Sequence, residues 1–305
     1  MMALLDLIII GAGPAGMTAA IYAKRKGLTL QVLADSVGGQ VTKTGNVENY
    51  PGYKSIPGPQ LAALIKKQLE EMTVDITMSR AAKLEKSGDY FKVTSGDGHT
   101  YEARAVIIAS GSKWKELNVP GEKEFKNRGV SYCPTCDGPL FSGMDVAVIG
   151  GGNAAAEAVL DLIPLATKVY LVVRSTLKAD KVVIDKISAN DKVTILTGYT
   201  VDKINGTDFV ESVDIVSTGG ERKTLSVGGV FVEVGLAPNV AFAKDLVQLN
   251  DRGEIVIDER CRTSVCGVYA AGDVSDVPQK QIIVAAGEGA KAAMSAFTYI
   301  STQKC

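Results

Sequence analysis

Two glycine-rich turns, each between an apolar run and a helix-forming run, constrain this sequence more than any other feature. The first is Gly11-Ala-Gly13-Pro-Ala-Gly16, which follows the apolar run 6–10 and precedes a helix-forming stretch, 17–26, and a second apolar run, 28–33. The glycines of a G-x-G-x-x-G turn let the backbone approach a pyrophosphate and let the helix pack closely on its strand. This strand–turn–helix–strand order predicts a dinucleotide-binding unit.

A second unit of the same kind begins at residue 145. The run 145–149 leads into Gly150-Gly-Gly152-Asn-Ala-Ala155, a helix-forming stretch reaches residue 162, and another apolar run spans 168–173. The N-terminus of a helix carries unpaired N–H groups and about half a positive charge, which suit a pyrophosphate. We therefore predict an α/β protein with two Rossmann-like, three-layer dinucleotide-binding domains.

The remaining patterned segments predict further strands and one long helix. Alternating runs at 90–94 and 101–103 indicate antiparallel strands. The apolar runs 105–111, 229–235 and 267–273 indicate buried strands, and residues 281–299 indicate a helix. A chain of 305 residues has room for about two such domains.

Charge and composition exclude several classes of function. Lys and Arg number 33 against 34 Asp and Glu, so no basic field attracts nucleic acid or an anionic membrane. The apolar run 7–10 is too short to span a bilayer, and the opening residues lack the basic start of a signal peptide. Five cysteines without a secretion signal argue against a structural disulfide framework. We expect a cytoplasmic protein that binds neither membrane nor nucleic acid.

Charged residues at two strand ends are candidates for contacts to ribose. Asp35 follows the second apolar run, where an acidic side chain meets ribose hydroxyls in dinucleotide folds, although a solvated turn would also explain it. In the second unit no acid occupies this point, and Arg174 and Lys178 could meet a 2′-phosphate. This arrangement favours NADP(H) over NAD(H), although an arginine at a strand end is also commonly just solvent-exposed.

Cys133-Pro-Thr-Cys136 holds two thiols at a spacing typical of redox-active or metal-binding pairs. The redox interpretation needs a thiolate that attacks a disulfide and a nearby group that moves protons. Asp137 is adjacent and could serve as that acid or base if burial raises its pKa. The single histidine, His99, excludes any mechanism that needs two histidines, and its polar turn predicts a solvated side chain.

The metal interpretation would pair Cys133 and Cys136 with Cys261 and Cys266. Zinc ribbons usually place roughly 15–20 residues between two C-x-x-C pairs. Here the gap is far longer, and the second pair has a different spacing. We therefore predict no metal site and keep a FAD- or metal-binding redox sensor as an alternative function.

These motifs together resemble the low-molecular-weight thioredoxin reductases and the flavoprotein subunit of alkyl hydroperoxide reductase. The resemblance covers essentially the whole chain, and its carriers are the two glycine turns, Gly38-Gly39-Gln40, Asn46-Val-Glu-Asn49-Tyr-Pro-Gly52, Gly129-Val-Ser-Tyr-Cys-Pro-Thr-Cys-Asp-Gly138 and Ala271-Gly-Asp273-Val. The segment 278–291 looks more like the peroxide-reductase subunit than like a typical thioredoxin reductase. That subunit has a long N-terminal thioredoxin-like part, and we expect none in this sequence.

The resemblance implies roles for named residues. FAD would be bound by Gly11, Gly13, Pro14, Ala15, Gly16, Asp35, Gly39, Gln40, Asn49, Gly272, Asp273, Lys280, Gln281 and Ile282. The nicotinamide cofactor would be bound by Gly151, Gly152, Asn153, Ala154, Glu157, Arg174, Ser175 and Lys178. Cys133 and Cys136 would be the redox-active disulfide, and Asp137 the proton donor beside it.

The resemblance also implies a domain arrangement and an activity. A FAD-binding domain would comprise residues 1–113 and 243–305, and an NAD(P)H-binding domain carrying the C-x-x-C pair would be inserted as residues 114–242. The expected activity passes electrons from NAD(P)H through FAD and the disulfide to a thioredoxin-like protein, with a peroxiredoxin system as the alternative, in a homodimer. NADPH-specific members usually carry His-Arg-Arg where this chain has Val173-Arg174-Ser175, so NADH is not excluded as the donor.

Overall fold

Two separate parallel β-sheets, one in each of two units of the chain, organise the fold. The structure is a computed structural model that describes residues 4–304. One unit comprises the described residues up to Lys113 together with those from Ala237 onward, and the other comprises Trp114–Leu236. Each is treated by itself below.

The strands and helices have the following bounds. The strands are β1 (Leu5–Ala12), β2 (Leu30–Val37), β3 (Asn46–Val47), β4 (Ile56–Pro57), β5 (Ile76–Met78), β6 (Ala81–Ser87), β7 (Tyr90–Ser95), β8 (Thr100–Ile108), β9 (Ser112–Trp114), β10 (Val130–Ser131), β11 (Asp145–Ile149), β12 (Lys168–Val173), β13 (Val193–Thr197), β14 (Tyr199–Gly206), β15 (Val210–Ser217), β16 (Arg222–Ser226), β17 (Gly229–Val232), β18 (Leu236–Pro238) and β19 (Val268–Ala270). The helices are α1 (Pro14–Arg25), α2 (Gly58–Glu71), α3 (Pro134–Asp137), α4 (Asn153–Leu162), α5 (Lys181–Ser188) and α6 (Ile282–Thr302), with 3-10 turns at Gly39–Lys43 and Gly138–Phe141.

The sheet of the first unit is mainly parallel with an antiparallel extension. Its strand order is β5-β2-β1-β8-β7-β6, and β19 pairs with the end of β8 in parallel. β1 alternates its side chains between two cores: Leu7 and Ile9 pack with α1 and α6, whereas Ile8 and Ile10 face the opposite cluster. The predicted antiparallel strands are β7 and β8, and the predicted helix near residues 281–299 is α6.

The second unit has a fully parallel sheet with the order β10-β17-β11-β12-β13. Val146 and Val148 of β11 pack on the α4 side, and Ala147 and Ile149 pack on the opposite side. Buried side chains of the antiparallel sheet β14-β15-β16 cover that opposite side, including Val213 and Ile215. The two Rossmann-like units predicted from the sequence are therefore present, each with its layers of helix and sheet.

The second boundary between the units differs from the predicted one. The sequence placed residues 237–242 in the inserted domain, but the structure packs them with the first unit. Val240 lies in the same buried cluster as Ile8 and Ile10, and the N–H of Asn239 donates to the carbonyl oxygen of Gly111. The packing of Val240 therefore places the boundary between the units at Ala237, and no local sequence motif predicts that packing.

No helix between residues 4 and 304 has both the length and the apolar character needed to cross a bilayer.

Candidate active site

The first glycine turn joins β1 to α1 at the carboxyl edge of the parallel strands. Gly11 has φ +111°, and a Cβ atom there would lie 2.2 Å from the carbonyl oxygen of Ala109, so a side chain does not fit. Gly13 caps α1 without a side-chain hydrogen bond, and Pro14 begins the helix. The N–H groups at the start of α1 therefore meet no capping side chain and are oriented to receive an anion. The turn fits the pyrophosphate of a dinucleotide.

Asp35 lies where the sequence placed it, near the end of β2. This strand pairs in parallel with β1, and Val37 lies opposite Ala12 at the edge that carries the glycine turn. The Asp35 side chain is exposed, and the hydroxyl of Ser36 donates to it at 3.3 Å. Its carboxylate is thus available to ribose hydroxyls beside the turn.

Four other predicted residues of the first unit are brought together in two pairs. The Nε2 atom of Gln40 donates to Oδ2 of Asp273 at 3.2 Å. The Nδ2 atom of Asn49 donates to Oε1 of Gln281 at 3.2 Å, immediately before Ile282, the first residue of α6. Each pair joins segments more than 200 residues apart in the chain, with separations of 233 and 232 residues. The fold therefore assembles residues that the sequence could only nominate one at a time.

Asp273 is a half-buried carboxyl whose pKa is set by its surroundings. Burial raises its pKa, and the charge of Lys280 and the hydrogen bond from Gln40 oppose that shift. Its neighbour Gly272 packs on the first turn, because a Cβ there would lie 3.0 Å from that of Ala15. Asp273 thus stands close to the start of α1, the place expected for a cofactor contact.

Lys280 has a structural role that the motif did not reveal. Its Nζ atom lies 3.1 Å from Oε1 of the buried Glu254 and donates to the carbonyl oxygens of Asp273 and Ser275. Glu288 on α6, also buried, accepts a 2.8 Å hydrogen bond from the N–H of Gly272. Glu254 and Ser275 lie outside every motif, and Glu288 lies in the segment 278–291 but was assigned no role from the sequence. Together these groups hold the segment that carries Asp273.

The second glycine turn joins β11 to α4. A Cβ atom on Gly150 would lie 2.3 Å from the carbonyl oxygen of Glu233, so the close approach of β17 requires glycine. Gly152 caps α4 with no side-chain hydrogen bond, and open space surrounds the position of its Cβ. Of the other predicted residues, Asn153, Ala154 and Glu157 are exposed on the first turns of α4, and Gly151 is half-buried. This turn also fits a pyrophosphate.

Hydrogen bonds join the segment after β12 to the second glycine turn and the start of α4. The N–H of Lys178 donates to the carbonyl oxygen of Gly151 at 2.6 Å. The side chain of Asn153 accepts from the N–H of Asp180 at 2.9 Å and donates to its carboxylate at 3.3 Å. Arg174, Ser175 and Lys178 are all exposed. Their side chains are therefore accessible to the adenosine end of a bound dinucleotide.

The cysteine pair lies at the start of the short helix α3. Cys133 and Cys136 form a disulfide with a Cα–Cα distance of 5.3 Å, and Cys133 is the N-cap of α3. The N–H of Cys136 donates to Sγ of Cys133 at 3.2 Å. Both cysteines are half-buried. An N–H directed at a sulfur at a helix start stabilises a thiolate there, which is the reactive form.

Asp137 follows the disulfide and is held by a residue that the sequence did not single out. Its Oδ2 atom accepts a 2.6 Å hydrogen bond from the hydroxyl of Ser131 on β10. Burial raises the pKa of Asp137, and the hydrogen bond from Ser131 partly opposes the shift. A half-buried carboxyl with a raised pKa next to a disulfide can store a proton for a thiol.

The four cysteines of the metal interpretation have different states. Cys133 and Cys136 are joined to each other, Cys266 is disulfide-bonded, and Cys261 is a buried free thiol whose pKa burial raises to about 12. Among residues 4–304, no three His, Cys, Asp or Glu side chains are grouped as a metal ion would require. His99 is exposed and lies beside Asp97, as its polar turn predicts.

Two Rossmann-like units and a C-x-x-C disulfide define a flavin-linked disulfide oxidoreductase. In each unit the helix behind the glycine turn begins without a capping side chain. The model of the pyridine nucleotide-disulphide oxidoreductase family matches residues 5–289. The chain belongs to this family, whose members use FAD and NAD(P)H. The resemblance stated from the motifs is confirmed.

Particular relatives sharpen the family assignment. The chain is 44% identical over 299 residues to an alkyl hydroperoxide reductase component of Staphylococcus aureus, and 42% identical over 298 residues to a Bacillus subtilis protein named NADH dehydrogenase. These matches cover 97% of the chain but only 59% and 58% of the relatives, so the chain spans well under two thirds of their length. The crystal structure of thioredoxin reductase from Streptococcus pyogenes is 41% identical, with a TM-score of 0.92 over 98% of this chain and 99% of that one.

Proposed function

We propose that this chain is a thioredoxin-disulfide reductase that passes electrons from NAD(P)H through FAD and the Cys133–Cys136 disulfide to a thioredoxin-like protein. The observation that carries the proposal is the C-x-x-C disulfide with the hydrogen-bonded, half-buried Asp137 beside it. This group lies on the same unit as the second glycine turn. A sensor would need the disulfide but not a poised proton donor next to it.

The two glycine turns fit two different dinucleotides. In the proposal FAD lies against α1, with Asp35 at its ribose and Gln40, Asn49, Asp273, Gln281 and Ile282 along the rest of its length. NAD(P)H lies against α4. FAD, when bound, would accept a hydride from the nicotinamide and supply the electron pair that reduces the disulfide.

The chemistry of the cysteine pair balances as a dithiol–disulfide exchange. Two electrons and two protons convert the Cys133–Cys136 disulfide to two thiols. One thiolate then attacks a sulfur of the partner's disulfide, and the second thiol of the pair displaces the partner as a dithiol. Asp137 gives and takes the proton at the thiol beside it. The pair is disulfide-bonded again at the end of the cycle.

The identity of the protein that accepts the electrons is the more specific part of the proposal. The solved relative from Streptococcus pyogenes is named thioredoxin reductase, which supports thioredoxin as the acceptor. The Staphylococcus aureus relative is named for alkyl hydroperoxide reductase, which supports a second candidate: the reductase component of a peroxiredoxin system, acting through a thioredoxin- or glutaredoxin-like carrier. Both candidates use the same exchange at the C-x-x-C pair.

We also propose a homodimer, to be tested by sedimentation of the purified chain.

The electron donor is proposed to be NADPH, with NADH as the competing donor. The exposed Arg174 and Lys178 favour a 2′-phosphate. The name of the Bacillus subtilis relative favours NADH. Arg174→Ala separates them: if Arg174 binds the 2′-phosphate, KM for NADPH rises about tenfold or more and KM for NADH does not change.

The decisive experiment reduces the FAD-loaded protein under anaerobic conditions. Flavin bleaching by NADPH and by NADH is followed first, and thioredoxin, a glutaredoxin-like protein and a peroxiredoxin are then offered as oxidised acceptors. We expect bleaching by at least one donor and reoxidation by a thioredoxin-fold acceptor. Cys133→Ser and Cys136→Ser should keep the bleaching and lose the transfer to protein. Undiminished transfer by either variant would contradict the proposal.

A further inference from the structure

Glu233 is a carboxyl group beside the second glycine turn that none of the motifs singled out. It directly follows β17, which pairs in parallel with β11 so that Val232 lies opposite Ile149. The N–H of Glu233 donates to the carbonyl oxygen of Ile149 at 2.8 Å. Its own carbonyl oxygen abuts Gly150, the first glycine of the turn. The backbone of Glu233 therefore forms one wall of the turn.

The side chain of Glu233 has an unusual environment. Its Oε1 atom is buried and forms no hydrogen bond within residues 4–304. Native proteins pair nearly all buried polar atoms, so an unpaired one calls for an explanation, such as a partner that binds there. Desolvation, with a contribution from the charge of Asp161, raises the pKa of Glu233 to about 8. The carboxyl is thus protonated, and able to donate, through most of the neutral range.

The strand order tells which half of a dinucleotide meets this position. β11 is central, with β12 on one side and β17 on the other. Ligands of such sheets lie across the carboxyl ends of the strands, with the pyrophosphate at the helix start. Arg174 and Ser175, at the end of β12, face the adenosine half. The opposite half, which carries the nicotinamide riboside, then lies over the end of β17.

We propose that Glu233 is a further binding residue of the nicotinamide site, with its side-chain carboxyl hydrogen-bonded to a ribose hydroxyl of the nicotinamide riboside. The inference rests on the proposed binding of NAD(P)H at the second glycine turn. A neutral carboxyl donates to the ribose and tolerates the nearby pyrophosphate, whereas a carboxylate repels it. Affinity for the dinucleotide therefore depends on the proton that Glu233 carries.

Other charged groups lie on the elements that surround Glu233. On α4, Asp161 is the group whose charge acts on Glu233. The side chain of Lys115 reaches the neighbourhood of Gly235, two residues further along the chain. The other charged residues of these elements are Asp137 on α3, Glu157 on α4, and Arg174 and Lys178 after β12. Within the described residues, none of the cations forms an ion pair with Glu233.

The test is equilibrium binding of NAD⁺ to the oxidised, FAD-loaded protein, measured by calorimetry between pH 6.5 and pH 9.5. NAD⁺ avoids both turnover and the titrating 2′-phosphate. For the wild type we expect Kd to rise about tenfold from pH 7 to pH 9, as linkage to a single proton requires. Glu233→Gln, which keeps a neutral donor, should bind tightly with no pH dependence. Glu233→Ala should bind several-fold more weakly, also without pH dependence.

Two further variants sharpen the test. Asp161→Asn should move the wild-type fall in affinity to lower pH, because it removes the charge that raises the pKa of Glu233. Glu211→Gln alters an exposed carboxylate of the same unit and should keep the wild-type profile. Equal pH profiles for the wild type and Glu233→Gln would overturn the inference while leaving the proposed function intact. Failure of both NAD⁺ and NADP⁺ to bind at any pH would overturn both.

Discussion

The hydroxyl of Ser131 donates a 2.6 Å hydrogen bond to Oδ2 of Asp137. It joins the end of β10 to the last residue of the helix that carries the disulfide. Burial raises the pKa of Asp137, and this hydrogen bond, which favours the ionised form, limits the rise. The pair therefore sets how readily Asp137 releases a proton next to the cysteines.

Replacing Asp137 should separate proton transfer from electron entry. With Asp137→Asn, we expect reduction of the protein partner to slow by about a hundredfold, a typical loss for a general acid. Bleaching of the flavin by NAD(P)H should stay within a factor of two to three of the wild-type rate, since hydride transfer to the flavin does not pass through the disulfide. Stopped-flow absorbance measures both steps. A variant that slows both steps equally would argue against a role in proton transfer.

Ser131→Ala should shift the pH dependence without removing the proton donor. Loss of the hydrogen bond lets the pKa of Asp137 rise further, so partner reduction that depends on protonated Asp137 should persist to higher pH. Rate profiles between pH 5 and pH 10 measure this change. Ser142→Ala, at an exposed serine further along the chain, is the matched control and should keep the wild-type profile.

Gly11→Ala should disrupt the first dinucleotide turn. Its Cβ would lie 2.2 Å from the carbonyl oxygen of Ala109, and its φ of +111° is unfavourable for alanine. We expect a loss of more than about 2 kcal/mol in the free energy of unfolding and purification with well under half the normal flavin content. Gly27→Ala also has a positive φ but meets no atom within 4 Å. It should cost only about 1 kcal/mol and retain full flavin.

Lys280→Met should show how much the buried ion pair contributes. Removing the ammonium takes the 3.1 Å partner from Oε1 of the buried Glu254, whose Oε2 keeps Arg252 and Asn250, and frees the segment around Asp273. A loss of about 2 kcal/mol is expected in urea unfolding, together with weaker flavin retention. The comparison is Lys123→Met, at an exposed pair with Glu116, which should change stability by about 0.5 kcal/mol or less. Equal effects of the two variants would contradict the buried role.

The raised pKa of Glu233 also predicts how stability depends on pH. Between its ordinary value of 4.5 and about 8, the folded protein holds a proton that the unfolded chain releases, so this group lowers stability as pH rises through that window. Relative to the wild type, Glu233→Gln should gain at least about 1 kcal/mol in the free energy of unfolding between pH 5 and pH 8. Urea titrations at both pH values measure it. A difference that is the same at both pH values would exclude the shifted pKa.

The sequence by itself determined the two dinucleotide turns, the redox pair and the fold class. These features are local, because each glycine turn needs only a strand before it and a helix after it, and the two cysteines span a single helical turn. β1, α1, β11 and α4 therefore lie where the glycine spacing predicts them. The antiparallel sheet β14-β15-β16 and helix α2 carry no such motif, and the sequence did not place them.

Only the tertiary structure decided which side chains meet across long stretches of chain. The pairing of Gln40 with Asp273 and the packing of Val240 beside Ile8 join distant segments, so no spacing along the sequence encodes them. The burial of the Glu233 Oε1 atom is of the same kind, because it depends on the approach of β17 to the glycine turn. Desolvation and charge act through space. For that reason the raised pKa values of Asp137, Glu233 and Asp273 belong to the folded protein alone.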